Sequence, residues 1–165
     1  MTTRPTEPIR AEHRGLIPDV EAVDRAAIEL AQWNQEAASD RLFHIIDFLE
    51  GHLLPHAAAE ESVLYPAIDE AMGAANATAT MRVDHDEIAS RVQHLRETIT
   101  KALEVWPDAE RTAAVVRQLS ALAAIILLHF RKEEEVLLPI LDSKLTVDEA
   151  EALFEAMDSE HAHHS

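Results

Sequence analysis

The feature that most constrains this chain is a set of histidines and glutamates placed on otherwise apolar helical stripes. Apolar residues recur at alternating spacings of four and three, which is the period of a helix with one buried face. Four such stripes cover residues 9–30, 42–63, 81–102 and 115–140. The polar residues of interest on them are His13, His56, Glu60, His85, His129 and Glu133. An ionised carboxylate that is buried without a partner costs several kcal/mol, so these stripes need positive charge between them.

The composition predicts an all-α fold. With three glycines and one tyrosine in 165 residues, the chain is typical of helices rather than sheets. Short connections favour antiparallel neighbours, so we expect an up-down-up-down four-helix bundle over residues 9–142. Residues 1–8 are expected to form a flexible N-terminus, and residues 143–165 a short C-terminal fifth helix with a frayed, His-rich tail. A capping box from Thr146 to Glu149 is expected to start that fifth helix.

Prolines and polar clusters mark the predicted ends of the bundle helices. Residues 39–40 (Ser-Asp) offer an N-cap for the second helix, and Pro66 with the 73–80 stretch is expected to end it. Residues 106–108 (Trp-Pro-Asp) are expected to turn the chain between the third and fourth helices. Pro139 is expected to end or kink the fourth.

An internal repeat relates the two halves of the chain. Residues 56–66 read HAAAEESVLYP and residues 129–139 read HFRKEEEVLLP, with six of eleven positions identical and an offset of 73. The same offset carries His13 to within one residue of His85. We interpret the chain as two helical hairpins, each supplying one early His and one later His-x-x-x-Glu pair. Distances along the chain from the two hairpin turns put all six residues near one level, at the bundle end away from those turns.

Four imidazoles and two carboxylates at one level indicate a metal site. The chain has no cysteine, so thiolate ligation and disulfides are excluded. Six ligands exceed the four of a structural zinc site and suit two metals, each with two histidines and both bridged by the glutamates. Iron is the first choice, and Mn or Zn the fallback. Ferritin-like di-iron bundles use Glu-x-x-His instead, a spacing that occurs here only at Glu160 and His163.

The order of these motifs resembles the hemerythrin-like family, also called HHE cation-binding domains. The segments EHRGLIP, HAAAEESVLYP and HFRKEEEVLLP carry the resemblance, which covers about residues 9–142. It implies a non-haem centre of two iron ions, bridged by carboxylates and by an oxo or hydroxo group, that interacts with O2, NO or peroxide. The ligands that it implies are His13, His56, His85 and His129, with Glu60 and Glu133 as bridges.

The chain departs from the oxygen-carrying hemerythrins at two points. Those proteins have a further His four residues from the one in the third helix, where this chain has Ala89 on one side and Met81 on the other. Their last carboxylate is an Asp five residues after the final His, where this chain has Glu134, with Glu133 at the four-residue spacing. One His fewer implies a more open centre. We therefore expect sensing, peroxide or NO chemistry, or iron handling rather than reversible O2 carriage.

Other polar residues near the motifs are interpreted differently. His94 is half a turn out of phase with His85 and is expected to face solvent, and His44 lies off the apolar stripe. His52, one turn before His56, is either a partly exposed residue or a supporting or replacement ligand. Glu61, Glu134 and Glu135 are interpreted as a solvated acidic face, with an extra ligand among them as the alternative. Tyr65 is expected to pack in the core, with a proton- or electron-donating role as the alternative.

Charge limits the partners. The chain has 14 Lys+Arg against 31 Asp+Glu, a net charge of −17, which excludes a phosphate-tracking nucleic-acid binder and disfavours anionic membranes. The N-terminus has no signal-peptide pattern, and the longest apolar run, residues 121–130, is too short to span a bilayer. We expect a cytoplasmic protein whose partner is a small diatomic ligand or peroxide. The sequence leaves open whether the chain is a monomer or a dimer.

Two classes of function remain. In the first, the di-iron centre binds or senses O2 or NO, or handles iron. In the second, the protein is an enzyme that decomposes peroxide or reduces nitrogen oxides. An open coordination site permits both, so the sequence does not decide whether the chain is an enzyme.

Overall fold

The computed structural model describes residues 4–164 and the side chains of residues 4–160, and in this range the chain is helical with no strand. The first bundle helix is α1 (Glu7–Glu29), which ends in a 3-10 turn (Leu30–Gln32), and the second comprises α2 (Gln35–Phe48), α3 (Leu54–Ala59) and α4 (Tyr65–Met72). The third bundle helix is α5 (Ala79–Leu103), and the fourth comprises α6 (Ala109–Lys132) and α7 (Leu138–Asp142). The helix that follows the bundle is α8 (Val147–His164). The predicted four-helix bundle with a fifth helix is confirmed. The fifth helix has 18 residues, longer than the short helix that we expected.

Caps explain where the helices begin. The α2 helix is capped by Asn34, whose side chain accepts a hydrogen bond from the Ala37 amide. The prediction of a cap at residues 39–40 was therefore wrong, because Asn34 already satisfies a free amide five residues earlier. Residues 106–108 do turn the chain, and the Asp108 side chain caps α6. The capping box that starts α8 is confirmed by the hydrogen bonds between residues 146 and 149.

Three π-helical turns interrupt the second and fourth bundle helices without ending them. They are Leu49–Leu53, Glu60–Leu64 and Glu133–Leu137. Each begins six residues before a proline: Pro55, Pro66 and Pro139. A proline cannot donate to the turn before it and clashes with a preceding carbonyl, and a wider π turn relieves that clash. The second helix therefore runs past Pro66, which does not help to end it, and stops at Met72, at the start of the 73–80 stretch that was predicted to end it. The helix after Pro139 likewise continues to Asp142.

The polar residues of the stripes lie between two apolar clusters. One cluster fills the bundle towards the two hairpin turns and includes Val20, Leu49, Ile88 and Ile126. The other lies towards the opposite end, where Ala150 and Phe154 of α8 and Tyr65, Met81 and Leu138 of the bundle are buried together. Along each bundle helix the site residues occur where one cluster gives way to the other. The site is therefore enclosed by apolar side chains on both sides.

The N-terminal segment is attached to the end of the fourth helix. Residues 1–3 of the predicted flexible N-terminus lie outside the described residues. Thr6 is buried, and its amide and hydroxyl both donate to Oδ1 of Asp142, at 3.0 and 2.7 Å. Arg10 is also buried and donates to Asp142 Oδ2 at 3.1 Å. These contacts connect the start of α1 to α7.

One helix within the described residues, Ala109–Asp142, is long and apolar enough to cross a membrane by length and composition. This is weak evidence for a span, because the core helix of a bundle passes the same test. Here the helix packs against α1 and α5 and carries His129 and Glu133 on its buried face.

Candidate metal centre

The structure brings all six predicted site residues together in two clusters that share one glutamate. His13, His56 and Glu60 form one cluster, and Glu60, His85, His129 and Glu133 form the other. Within each cluster the potential ligand atoms lie within 4.8 Å of one another. All six side chains are buried, and the two glutamates are 0% exposed. The four histidines come from α1, α3, α5 and α6, so every bundle helix contributes one.

Glu60 reaches from one histidine pair to the other. Its Oε1 lies 3.0 Å from Nε2 of His56 and 3.3 Å from Nε2 of His13. Its Oε2 lies 3.3 Å from Nε2 of His85. One oxygen therefore faces each pair, which is the orientation of a carboxylate that bridges two cations.

Glu133 has the corresponding position from the other half of the repeat. Its Oε2 lies 3.5 Å from Nε2 of His13, and its Oε1 lies 3.5 Å from Nε2 of His129. The Nε2 atoms of His85 and His129 are 2.9 Å apart, so both rings point to one place. The two histidine pairs are thus spanned by two carboxylates, as the repeat predicts.

Tyr65 lies against the second cluster. Its hydroxyl donates to Glu133 Oε1 at 2.7 Å and lies 3.2 and 3.3 Å from Nε2 of His85 and His129. Burial, followed by the charges of Glu60 and Glu133, raises the pKa of Tyr65 well above its usual range. The phenol therefore stays protonated and acts as a donor to the site.

Comparison with known families agrees with this geometry. The family model for the hemerythrin HHE cation binding domain matches residues 4–141. The chain belongs to the hemerythrin HHE cation-binding domain family. This match confirms the family resemblance of the sequence motifs and identifies the buried His/Glu clusters as those of a hemerythrin-like cation-binding domain.

A curated relative is similar over most of the chain. The zinc finger protein BRUTUS of Arabidopsis thaliana is 26% identical over 137 residues, which are 83% of this chain and 10% of that protein. The chain thus spans about a tenth of the length of this relative. No solved structure matches the chain with significant similarity.

The donor set of this hemerythrin domain fits two cations. Within the described residues, Glu60 Oε2 and Glu133 Oε2 are buried and accept no hydrogen bond. The nearest polar atoms to these two oxygens are Nε2 of His85, at 3.3 Å, and Nε2 of His13, at 3.5 Å. A buried carboxylate oxygen that accepts no hydrogen bond carries a desolvation cost, which a cation between the clusters would remove. Each of two metals would receive two imidazole nitrogens, and the two glutamates would be shared between the metals.

The electrostatics of the centre strengthen this interpretation. Burial lowers the pKa of His56, but the charge of Glu60 and hydrogen bonds to Glu12 and Glu60 outweigh it and raise the pKa to about 10. The pKa values of His13 and His129 are also raised, against their burial, by nearby glutamates. Burial raises the pKa of Glu60, but the charge of His56 and hydrogen bonds from the histidines hold it well below its usual range. The centre thus keeps its carboxylate ionised and attracts positive charge, whether protons or metal ions.

A second layer of carboxylates, here called the outer carboxylates, was not predicted from the sequence. In each, one carboxylate oxygen lies within hydrogen-bond distance of the Nδ1 atom of one site histidine, on the side of the ring away from the centre. The pairs are His13–Glu134 at 3.0 Å, His56–Glu12 at 2.9 Å, His85–Glu61 at 2.9 Å and His129–Asp84 at 3.2 Å. The interpretation of Glu61 and Glu134 as part of a solvated acidic face was therefore wrong. The available indication was the pair of acidic-His dipeptides at residues 12–13 and 84–85, which the repeat places in equivalent positions.

The remaining candidates lie away from the centre. His44, His52 and His94 are exposed, and His52 packs beside Phe48, with ring centroids 6.4 Å apart. Glu135 is exposed and pairs with Arg131, as expected of a solvated acidic residue.

The two positions that could hold the additional histidine of the oxygen carriers also lie outside the clusters. Ala89 is exposed, and Met81 is buried among the apolar residues beneath the site. Neither position supplies a side chain that binds metal through nitrogen or oxygen.

Proposed function

We propose that this chain is a non-haem di-iron protein that binds or senses O2 or NO, or handles iron, at the buried centre. The observation that carries the proposal is a cavity of about 10 Å³ against the centre, which is room for about one water-sized molecule. Its lining includes His56, Glu60, His85 and His129 from the site and Leu53, Ile88, Ile126 and Phe130 from the apolar core. A space of this size beside the ligand atoms suits a very small inorganic ligand rather than an organic substrate.

The ligand chemistry supports iron. Imidazole and carboxylate donors without a thiolate suit iron, with manganese or zinc as less favoured alternatives. When bound, two iron ions would supply redox and Lewis-acid chemistry at the centre. The protein holds four rings and two carboxylates in place, and Phe130, stacked on His13 with centroids 4.6 Å apart, helps to exclude water.

A second candidate is an enzyme that decomposes peroxide or reduces a nitrogen oxide. The observation that favours it is the Tyr65 hydroxyl, which donates a hydrogen bond to Glu133 inside the site and lies within 3.3 Å of His85 and His129, so that it places a hydrogen-bond donor beside the centre that simple ligand binding does not need. We also propose that the chain acts in the cytoplasm, apart from nucleic acids and membranes. Its net charge of −17 supports the separation from nucleic acids and membranes, because a negative protein repels phosphate backbones and anionic lipids.

Metal content and reactivity test the two candidates. The purified protein, loaded anaerobically with Fe(II), should hold about two irons per chain. Exposure to O2 or NO should then give a stable coloured adduct, and addition of peroxide should give little O2. Sustained O2 evolution from peroxide would instead support the enzyme. One iron per chain would reduce the centre to a mononuclear site, and none would refute the proposal.

A pair of leucine variants tests the role of the cavity. Leu53 lines the cavity, whereas Leu49 lies one turn earlier and is buried in the same apolar cluster. Both Leu→Ala changes remove the same atoms and are expected to cost about 2–5 kcal/mol of stability. L53A should alter the rate at which NO dissociates from the iron-loaded protein, and L49A should not. Equal effects of the two variants on NO dissociation would show that the ligand does not occupy this cavity.

A further inference from the structure

We propose that the four outer carboxylates, Glu12, Glu61, Asp84 and Glu134, are positioning residues that orient the site histidines for metal binding. The proposal rests on the proposed di-metal function and extends it beyond the six ligand side chains. In each histidine, Nδ1 contacts an outer carboxylate and Nε2 faces the centre. The outer carboxylates thereby decide which ring nitrogen is free to bind metal.

The chemistry of the imidazole ring gives the first step. A metal binds the unprotonated nitrogen of a neutral imidazole, whose other nitrogen then carries the only ring proton. An ionised carboxylate only accepts hydrogen bonds, so a carboxylate at Nδ1 holds the proton there and leaves Nε2 free. A hydrogen bond of this kind also fixes the plane of the ring and makes its free nitrogen more basic. Four distances of 2.9–3.2 Å fit this hydrogen bond.

The outer carboxylates link the bundle helices in a closed order. Each is next in sequence to a site residue but serves a histidine on a different helix. Glu12, beside His13 on α1, serves His56 on α3, and Glu61, beside Glu60, serves His85 on α5. Asp84 and Glu134 repeat the arrangement in the other half: Asp84 on α5 serves His129 on α6, and Glu134 serves His13 on α1. Four equivalent contacts in two repeat halves are more than the scattered pairing of surface charges would produce.

Two arginines hold the outer glutamates that follow the bridging glutamates. Arg10 pairs with the carboxylate of Glu134 and donates to its backbone carbonyl at 3.1 Å. Arg82 donates to the backbone carbonyl of Glu61 at 3.2 Å, with its carboxylate 3.9 Å away. Arg10 and Arg82 occupy equivalent places in the repeat, three residues before His13 and His85.

The π-helical turns explain why these carbonyls need an arginine. In a π turn the amide five residues later bonds to each carbonyl. For Glu61 and Glu134 that residue is Pro66 or Pro139, which has no amide hydrogen. The arginine supplies the missing donor to the carbonyl in both halves. Arg10 also forms a close ion pair with the carboxylate of Glu134, whereas Arg82 lies 3.9 Å from that of Glu61.

Neutral variants of the two outer glutamates test the proposal. E134Q and E61Q keep the size of the side chain and remove the charge that holds the Nδ1 proton. The matched control is E135Q, because Glu135 lies in the same Glu-Glu-Glu run but is exposed and pairs with Arg131. With Co(II) as the probe, followed by visible absorption, E134Q and E61Q should each weaken binding about 10–100-fold. E135Q should stay within about twofold of the wild type.

A second measurement separates positioning from a general loss of structure. In the Zn(II)-loaded wild type, proton NMR should show four slowly exchanging, strongly downfield Nδ1 protons, one for each site histidine. E134Q should shift only the proton of His13, and E61Q only that of His85. Metal-free E61Q should melt close to E135Q, whereas E134Q also breaks the ion pair with the buried Arg10 and should melt at a lower temperature.

The outcomes distinguish this inference from the proposed function. If the variants bind Co(II) as tightly as the wild type, or lose affinity without any change in the Nδ1 protons, the positioning role is refuted and the di-metal function stands. If the wild type binds no Co(II), the di-metal function fails and the positioning role fails with it.

Discussion

Glu60 belongs to both clusters, so its replacement perturbs both histidine pairs at once. In E60Q the side chain keeps its size and loses its charge, while three histidine Nε2 atoms remain within 3.0–3.3 Å of it. Removing one partner of a buried ion pair costs about 3–5 kcal/mol. For a chain of this size each kcal/mol changes Tm by about 2–4 °C, so the metal-free variant should melt about 6–20 °C below the wild type.

The loss of melting temperature in E60Q depends on pH, because the variant leaves positive charge uncompensated only where the histidines are protonated. The pKa of His56 is raised from 6.5 in the unfolded chain to about 10 in the folded protein. Its contribution to stability is therefore full below pH 6.5 and is lost as the pH rises through about 10. The difference in Tm between E60Q and the wild type should be largest near pH 6 and should shrink towards pH 10.

Calorimetry and metal analysis provide the assay. Melting of metal-free E60Q at about pH 6 is compared with that of E97Q, a control because Glu97 is exposed on α5. Metal content is then measured at a metal concentration that saturates the wild type, and E60Q should hold fewer than two ions per chain. If metal-free E60Q melts at the same temperature as E97Q and still binds two metals as tightly as the wild type, Glu60 neither compensates the positive charge of the histidines nor bridges the two metal sites.

Two further substitutions and one measurement on the wild type probe other parts of the centre. H129A removes a ligand from one cluster, so metal content by atomic absorption should fall from about two to about one and the metal-loaded protein should melt earlier; H94A, on an exposed position, should change neither. Y65F removes the hydroxyl that donates to the buried Glu133 and should lower the free energy of unfolding in urea by about 1.5–3 kcal/mol; an unchanged value would mean that this hydrogen bond adds nothing. Metal binding at pH 7 should release protons, because the raised pKa of His56 keeps its ring protonated and a metal binds only the neutral ring. Metal affinity should then rise with pH up to about 10. Titration calorimetry in buffers of different ionisation enthalpy measures the release, and finding no released protons would contradict this prediction.

The six site residues could be predicted because the helical period alone decides which side chains share a face. His56 and Glu60 are four residues apart, so any helix that buries one brings the other beside it. The repeat of the same His and Glu positions then indicated that His129 and Glu133 do the same in the other half. The outer carboxylates were not predicted because their partners lie on other helices. Whether Glu61 faces water or His85 depends on how α3 and α5 pack and on the π-helical turn that begins at Glu60.

The sequence by itself determined the helical class, the number of long helices and the choice of six polar residues to bury, since periodicity and residue chemistry are local properties of a chain. Tertiary structure alone decided which oxygen of each glutamate faces which histidine pair, and which acidic side chain supports each ring. Those contacts depend on the rotation and separation of neighbouring helices, which no single segment encodes. Prolines also altered these contacts locally, because each widened its helix into a π turn. From the periodic pattern alone, the helix would be expected either to continue unchanged or to end at such a proline.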